Sequence, residues 1–189
     1  DGTEGEMCGN ALRSMSKYVY DHKFTDKTKL TIETLGGIQH VELFIKDGVA
    51  VNIKANIGEP RLSTKVIPVN TELEEFIEQP VQILDRVFKI SALSWGNPHC
   101  VIFLDDVDKY GKAIEYKTDI FPNKTNVTFA KVVNKNYIKI REWERGTGET
   151  IGCGTGCCTA AVFGVITGRT ERKVSVEQIG GNLDVEWNE

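Results

Sequence analysis

Glu144-Arg-Gly-Thr-Gly-Glu-Thr-Ile-Gly-Cys-Gly-Thr-Gly-Cys-Cys-Thr-Ala-Ala-Val-Phe-Gly164 reads as a strand end, a tight glycine loop and a helix. The small and apolar residues from Cys157 to Ile166 suit a buried helix, and Gly168 suits its stop. Cys153 then stands at or just before the helix N-terminus. Unpaired backbone N–H groups and the helix dipole favour anions there. A cysteine so placed is expected to have a lowered pKa. The same N–H groups offer a seat for a carboxylate, so the loop reads as a thiolate beside an anion site.

A second Cys-Gly pair lies at the other end. Glu6-Met-Cys-Gly-Asn-Ala-Leu-Arg13 opens a helix expected from Asn10 to about Tyr20, with Leu12, Met15 and Val19 on its apolar stripe. The strands that follow also match. Lys29-Leu-Thr-Ile-Glu-Thr-Leu-Gly-Gly37 parallels Lys173-Val-Ser-Val-Glu-Gln-Ile-Gly-Gly181 at an offset of 144, and Cys8 parallels Cys153 at 145. A fixed offset over helix, strand and turn marks an internal duplication. The chain is therefore read as two lobes, residues 1–66 and 67–189, each presenting one cysteine at a helix mouth. Facing lobes would set two thiols about one carboxylate-binding cleft, an arrangement that suits deprotonating one face of a carbon and reprotonating the other. The plain alternative is two buried structural cysteines; their duplicated placement argues against it.

Composition is that of an ordinary globular protein: 189 residues, 40% hydrophobic, 26% charged, net charge −4. Mild acidity gives no reason to expect nucleic acid, and no apolar run approaches the roughly 20 residues that span a bilayer. Five cysteines, two of them adjacent at 157 and 158, do not form a secreted disulfide framework and fit a reducing cytosol. Cys157 and Cys158 have no compact second pair of ligands, so they read as core residues and not as a zinc site. The first lobe has only seven residues before its cysteine, and the second copy stops in what should be a strand. Repeat logic thus leads to the expectation of a chain truncated at both ends.

Between the motifs, Asp1–Glu6 reads as loop. Strands are expected at 30–33, 41–45, 49–57, 87–92, 100–104, 127–133 and 137–143, with an Asp47-Gly48 hairpin turn. Short helices are expected at 72–78 and 110–120. The fold class is α+β, with one principal helix per lobe.

The motifs Met7-Cys-Gly-Asn10 with Arg13, Gly96-Asn-Pro-His-Cys-Val101, Asn126-Val-Thr-Phe129, Glu144-Arg-Gly-Thr-Gly-Glu149 and Cys153-Gly-Thr-Gly156 follow one another along nearly the whole chain. In that order they resemble the diaminopimelate epimerase family, cofactor-independent isomerases of lysine and peptidoglycan-precursor synthesis. The resemblance implies two pseudo-symmetric lobes, each a mostly antiparallel, β-barrel-like sheet around a central helix, with the active site between them. It implies interconversion of LL- and meso-diaminopimelate with no cofactor and no metal, in a cytosolic homodimer. Cys8 and Cys153 would be the two bases, one as thiolate and one as thiol. Gly9, Asn10, Gly154 and Thr155 would hold the reacting α-carboxylate through backbone N–H groups; Asn10 and Thr155 also suit helix caps. Arg145, Asn97 and Asn126 would bind the distal carboxylate, for which a guanidinium fork is suited. His99 and Glu144 would tune the thiols, an imidazolium favouring thiolate and a carboxylate opposing it; Glu144 would also meet a substrate ammonium. Competing readings are a related cofactor-independent amino-acid racemase and an inactive fragment of the family. A cysteine hydrolase lacks a histidine evidently paired with either thiol.

Overall fold

The computed structural model describes residues 7–104 and 110–188; the expected loop at 1–6 lies outside them. By their internal packing the residues divide into two units, the first ending at Glu59 and the second beginning at Pro60. Arg61 bridges to Ser94 and Ser63 to Glu75. Residues 61–66, assigned to the first lobe from sequence, therefore pack with the second.

In the first unit, helix α1 (Gly9–Asp21) precedes strands β1 (Lys29–Thr34), β2 (Gly37–Lys46) and β3 (Val49–Asn56), which form an antiparallel sheet in that order. Asp47 and Gly48 both have positive φ, 52° and 79°, as a tight right-twisted hairpin requires. Met7, Leu12, Val41, Leu43 and Ala50 form the core between α1 and the sheet. The buried stripe of α1 runs through Leu12 and Ser16, and Met15 is exposed, contrary to the sequence expectation. Ser16 is tolerated inside because its hydroxyl donates to Leu12 O at 2.7 Å.

In the second unit, strands β4 (Phe76–Ile83), β5 (Arg86–Ser94), β6 (Pro98–Phe103), β7 (Asn126–Asn134), β8 (Tyr137–Glu144), β9 (Gly148–Thr150), β10 (Lys173–Gln178) and β11 (Gly181–Glu186) make one sheet. Its order is β11-β10-β8-β7-β6-β5-β4, with β9 paired to β8. The β6–β7 and β8–β10 pairs are parallel; the others are antiparallel. Helix α3 (Gly154–Ile166) packs against β6, β7, β8, β10 and β11. Ten of its 13 residues are buried, so it is apolar all round, as a helix enclosed by its sheet must be. The sheet wraps α3 yet stays open among the described residues, ending at β4 and β11. Two short-helix expectations are corrected. The acidic stretch 72–78 enters β4, whose buried Phe76 and Val81 pair it to β5. Helix α2 (Gly111–Glu115) is one turn, not eleven residues, and Lys117–Lys124 continues as hydrogen-bonded turns.

The duplication is visible bond by bond. Strand β1 pairs with β2 from Lys29↔Glu42 to Thr34↔Gly37, and β10 pairs with β11 from Lys173↔Glu186 to Gln178↔Gly181. All six pairs are related by the same shift of 144. Helices α1 and α3 both have 13 residues, and each is entered through an extended cysteine: Cys8 at φ −137°, ψ 101° and Cys153 at φ −128°, ψ 116°.

Candidate active site

Each cysteine occupies the N-cap position of its helix. Leu12 N–H donates to Cys8 O and Cys157 N–H to Cys153 O, both at 3.0 Å, and these are the first bonds of the two helices. The preceding amides, Gly9 to Ala11 and Gly154 to Gly156, are the ones a helix start leaves without intrahelical acceptors. Asn10 and Thr155 therefore lie inside the first turns and are not caps; neither cysteine makes a side-chain capping bond. The glycines that follow the cysteines, Gly9 and Gly154, leave the first helical positions bare of side chains.

In the first unit Cys8 is exposed. Arg13 folds back over the first turn, with Nη1 on Gly9 O at 3.1 Å and Nη2 on Asn10 Oδ1 at 2.8 Å. Arg13 thereby brings a cation to the helix mouth.

In the second unit Cys153 is buried. Its N–H donates to Gln178 Oε1 at 2.9 Å, and its Sγ lies 3.3 Å from Thr155 Oγ1. Burial pushes the Cys153 thiol up to about 12, and the carboxyl groups of Glu142 and Glu144 push in the same direction. The Thr155 hydroxyl and Gly156 N–H oppose this without overcoming it. The lowered pKa expected from the helix N-terminus is therefore overturned for Cys153: desolvation of the thiolate outweighs the dipole. The resting group is a protonated thiol.

Glu142 was not singled out in the sequence. It is 2% exposed, and Thr128 Oγ1 lies 3.0 and 3.1 Å from its two oxygens. A Cβ at Gly156 would fall 1.9 Å from Glu142 Oε1, so that glycine is required by the carboxyl beneath it. Burial raises the Glu142 carboxyl well above the usual carboxylate range; the Thr128 bond opposes the shift and the Glu144 charge adds to it. The signal was present in β8, where Ile138, Ile140 and Glu142 alternate as the buried positions. Glu144 itself is half-buried and accepts from Thr150 Oγ1 at 2.5 Å.

His99 is fully buried in β6, opposite Leu93 and Asn126. Among the described residues neither ring nitrogen has a hydrogen-bond partner, and Asn97 Oδ1 is likewise buried and unpaired. Burial pushes the imidazole down to about 3, with the Arg145 charge adding to the shift. The expected imidazolium is thus replaced by a neutral ring, which has no charge with which to favour a thiolate. Asn126 proves to be an organiser of the loop: its Nδ2 donates to Pro98 O and its Oδ1 accepts Arg145 N–H, both at 2.9 Å. The Arg145 guanidinium lies on the exposed side, 3.5 Å from Asn123 O. Trp95 Nε1 donates to Thr159 Oγ1 at 3.0 Å, and that hydroxyl donates to Thr155 O at 2.8 Å. This chain ties the Asn97–His99 segment to the mouth of α3. Cys100 and Cys157 are core residues, as expected, and none of the five cysteines is in a disulfide.

A family model described as diaminopimelate epimerase matches residues 1–63 and 91–189. The diaminopimelate epimerase of Acetivibrio thermocellus is 44% identical over the whole of this chain and 69% of its own length. That of Methanococcus maripaludis is 43% identical over the whole of this chain and 70% of its own. Among solved structures, a probable proline racemase from Agrobacterium radiobacter superposes with a TM-score of 0.73 at 11% identity, covering 95% of this chain and 58% of that one. A phenazine biosynthesis protein of the PhzF family from Bacillus anthracis gives 0.63 at 18% identity, covering 97% and 67%. At these identities the two structures show a shared fold and no more. Sequence identity over the full chain, together with duplicated helices each entered through a cysteine, establishes that the chain belongs to the diaminopimelate epimerase family.

Proposed function

We propose that the chain interconverts LL- and meso-diaminopimelate by a two-base mechanism using Cys8 and Cys153. The observation that carries this is the matched backbone of two cysteines, each at the N-cap of an equivalent helix, in a chain of this family. One sulfur, as thiolate, takes the α-proton; the C–H bond breaks as an S–H bond forms, and the electron pair stays on carbon. The other sulfur, as thiol, gives its proton to the opposite face, and the pair becomes the new C–H bond. The enzyme is left with thiol and thiolate exchanged.

Protonated Cys153 suits the donor role on first encounter, which assigns the base to Cys8 for the isomer whose α-hydrogen meets it. An amino-acid α-proton is a very weak acid, so the carbanion needs fixed donors. The backbone amides at the starts of α1 and α3 are suited to the α-carboxylate, where charge accumulates. Arg145 and Asn97 are suited to the distal amino-acid end, Asn97 Oδ1 being buried and unpaired among the described residues. Glu144 adds to burial in keeping Cys153 protonated, whereas His99, a buried neutral ring, brings no charge to bear on the thiols. The homodimer and the cytosolic setting belong to the same proposal; sedimentation tests the first.

The decisive experiment follows α-hydrogen exchange in D2O with LL-diaminopimelate under reducing conditions. The parent is expected to incorporate deuterium and form the meso isomer. Cys8→Ala and Cys153→Ala are each expected to lose epimerisation. Epimerisation persisting in either variant would remove the two-thiol mechanism.

A further inference from the structure

The loop Arg145–Thr147 is held by an acid that the mechanism above does not use. Glu115, at the end of α2, is 2% exposed and spends both carboxylate oxygens on the strand-loop junction. Its Oε2 accepts Trp143 Nε1–H at 2.8 Å, and its Oε1 accepts Gly146 N–H at 2.8 Å. The residue between these two donors that projects outward is Arg145, whose own N–H is taken by Asn126 Oδ1 at 2.9 Å. Thr147 N–H closes the turn on Glu144 O at 3.1 Å. Three successive amides are thus pinned from three directions. Gly146 adopts φ +77°, a left-handed conformation that glycine accepts without steric cost. The fit of α2 to this place is close: a Cβ at Gly111 would lie 2.6 Å from Trp143 Cγ. The helix therefore abuts the indole directly.

We infer that Glu115 is the positioning residue for Arg145, fixing the direction of the guanidinium so that it meets the distal carboxylate of a diamino dicarboxylic acid. The inference rests on the proposed role of Arg145. Its physical basis is that one side chain accepting from two part-buried donors holds them in place together, and that a bidentate arginine is effective only in a fixed orientation. Without Glu115, Gly146 N–H and Trp143 Nε1–H lose their acceptor together, and the turn loses one of its two side-chain anchors. Arg145 then binds the same carboxylate from a wider range of directions.

The test uses Glu115→Gln, Arg145→Ala, the double variant, and Trp143→Phe, which removes only the indole bond. Amide hydrogen exchange of the segment 143–148 reads the turn without reference to activity. Glu115→Gln is expected to speed exchange at Gly146 tenfold or more, with the β6–β7–β8 amides unchanged. Steady-state epimerisation reads the function. Glu115→Gln and Arg145→Ala are each expected to raise KM for LL-diaminopimelate tenfold or more, and Trp143→Phe to raise it by less. The double variant is expected to be no worse than Arg145→Ala alone, since residues acting through one group do not add. Unchanged exchange at Gly146, or multiplied effects in the double variant, overturns the inference while leaving the function intact. Arg145→Ala with parental KM, or a parent without turnover, instead overturns the underlying reading of Arg145 or of the activity. Should Glu115→Gln fail to fold, a parental KM in Trp143→Phe with a loosened turn overturns the inference.

Discussion

The backbone N–H of Cys153 donates to the side-chain oxygen of Gln178 at 2.9 Å. The same oxygen receives the Cys157 thiol at 3.4 Å, so one amide holds both the N-cap and the next turn of α3. Gly152 lies directly against it: a Cβ there would fall 2.8 Å from Gln178 Cδ. In the first repeat the equivalent position is Thr34, whose hydroxyl instead donates to Gly37 O at 2.7 Å. The second helix mouth therefore has a strut that is not a product of the duplication. Gln178→Ala is expected to destabilise the protein by about 1–3 kcal/mol, the cost of stranding a part-buried amide donor. It is also expected to speed alkylation of Cys153. Urea denaturation and timed maleimide labelling read the two effects; a midpoint and a labelling rate both equal to the parent's would show the strut to be idle.

The two helix-mouth thiols differ in exposure and so in reactivity. Cys8 is exposed, whereas Cys153 is buried with its thiol pushed up to about 12. Only the thiolate is nucleophilic. In the free protein at pH 7.5, iodoacetamide is expected to modify Cys8 at least tenfold faster than Cys153. The Cys153 rate is expected to climb with pH through 9 and 10 without levelling. The raised pKa also means that burying Cys153 as a thiol contributes stability below its unfolded value and loses it as pH rises toward 12. Peptide mass spectrometry after timed quenching separates the sites. Equal rates at neutral pH would contradict the desolvated environment of Cys153.

Much of this arrangement was legible beforehand. The shift of 144 between Lys29–Gly37 and Lys173–Gly181 is a statement about sequence, and the strand registers repeat it pair by pair. Helix α3 was legible because an unbroken apolar run after a glycine loop has few other ways to fold. Protonation states were not legible. Helix position alone argues for a thiolate at Cys153 and leaves room for an imidazolium at His99, but each charge depends on solvent access, which only tertiary packing sets. Glu142 and Glu115 do not stand out in the sequence for a related reason: a carboxylate in a strand or short helix is ordinarily solvated. The stretch 72–78 reads as helix because its acidic composition hides Phe76, whose burial draws the segment into the sheet.

His99 makes the fold sensitive to acid. Burial holds the imidazole neutral, with a folded pKa of about 3 against an ordinary 6.5. A depressed folded pKa contributes stability above the unfolded value and loses it as pH falls, here from 6.5 toward 3. The full effect has an upper limit of roughly 4–5 kcal/mol from a shift of this size. His99→Phe, which keeps a ring of similar volume, is expected to flatten stability between pH 6.5 and 4.5 by up to about 1.4 kcal/mol per pH unit. Denaturant titrations across that range measure it; parallel profiles for variant and parent would exclude His99 as the source.

Glu142 works in the opposite direction. Its carboxyl is raised well above the usual range, chiefly by burial. A raised folded pKa means that its contribution is full below the unfolded value near 4.5 and declines as pH rises. Glu142→Gln keeps an acceptor for Thr128 and removes the titration. The variant is expected to gain stability over the parent above pH 4.5, the gap widening by up to about 1.4 kcal/mol per pH unit until the parent group ionises. It is also expected to lower the Cys153 thiol, because one of the carboxyl groups opposing its ionisation is gone. Alkylation of Cys153 at pH 9 should then be faster than in the parent; an unchanged rate would show that Glu142 does not govern the thiol.

Lys23 and Gly168 occupy the same place after the two helices, and the chain treats them alike. Their φ angles are 62° and 69°. Lys23 N–H donates to Tyr20 O at 3.0 Å and Gly168 N–H to Val165 O at 2.9 Å; the next residues, Phe24 and Arg169, donate to Val19 O and Gly164 O at 2.9 and 2.8 Å. A left-handed residue ending a helix is well served by glycine and strained as lysine. What lysine supplies in return is exposed: a 3.2 Å bond from Nζ to Gly48 O and a position 5.2 Å above the Tyr20 ring. Exposed contacts of this kind are weak, so relief of strain should prevail. Lys23→Gly is expected to stabilise the first unit by about 0.5–1 kcal/mol, and Gly168→Ala to destabilise the second by about 1 kcal/mol. Opposite shifts in thermal unfolding for the two substitutions would establish that one backbone design, copied in the duplication, has been completed with glycine in only one copy. A loss of stability in Lys23→Gly would instead mean that the bond to Gly48 holds the helix end to the β2–β3 turn more firmly than its exposure indicates.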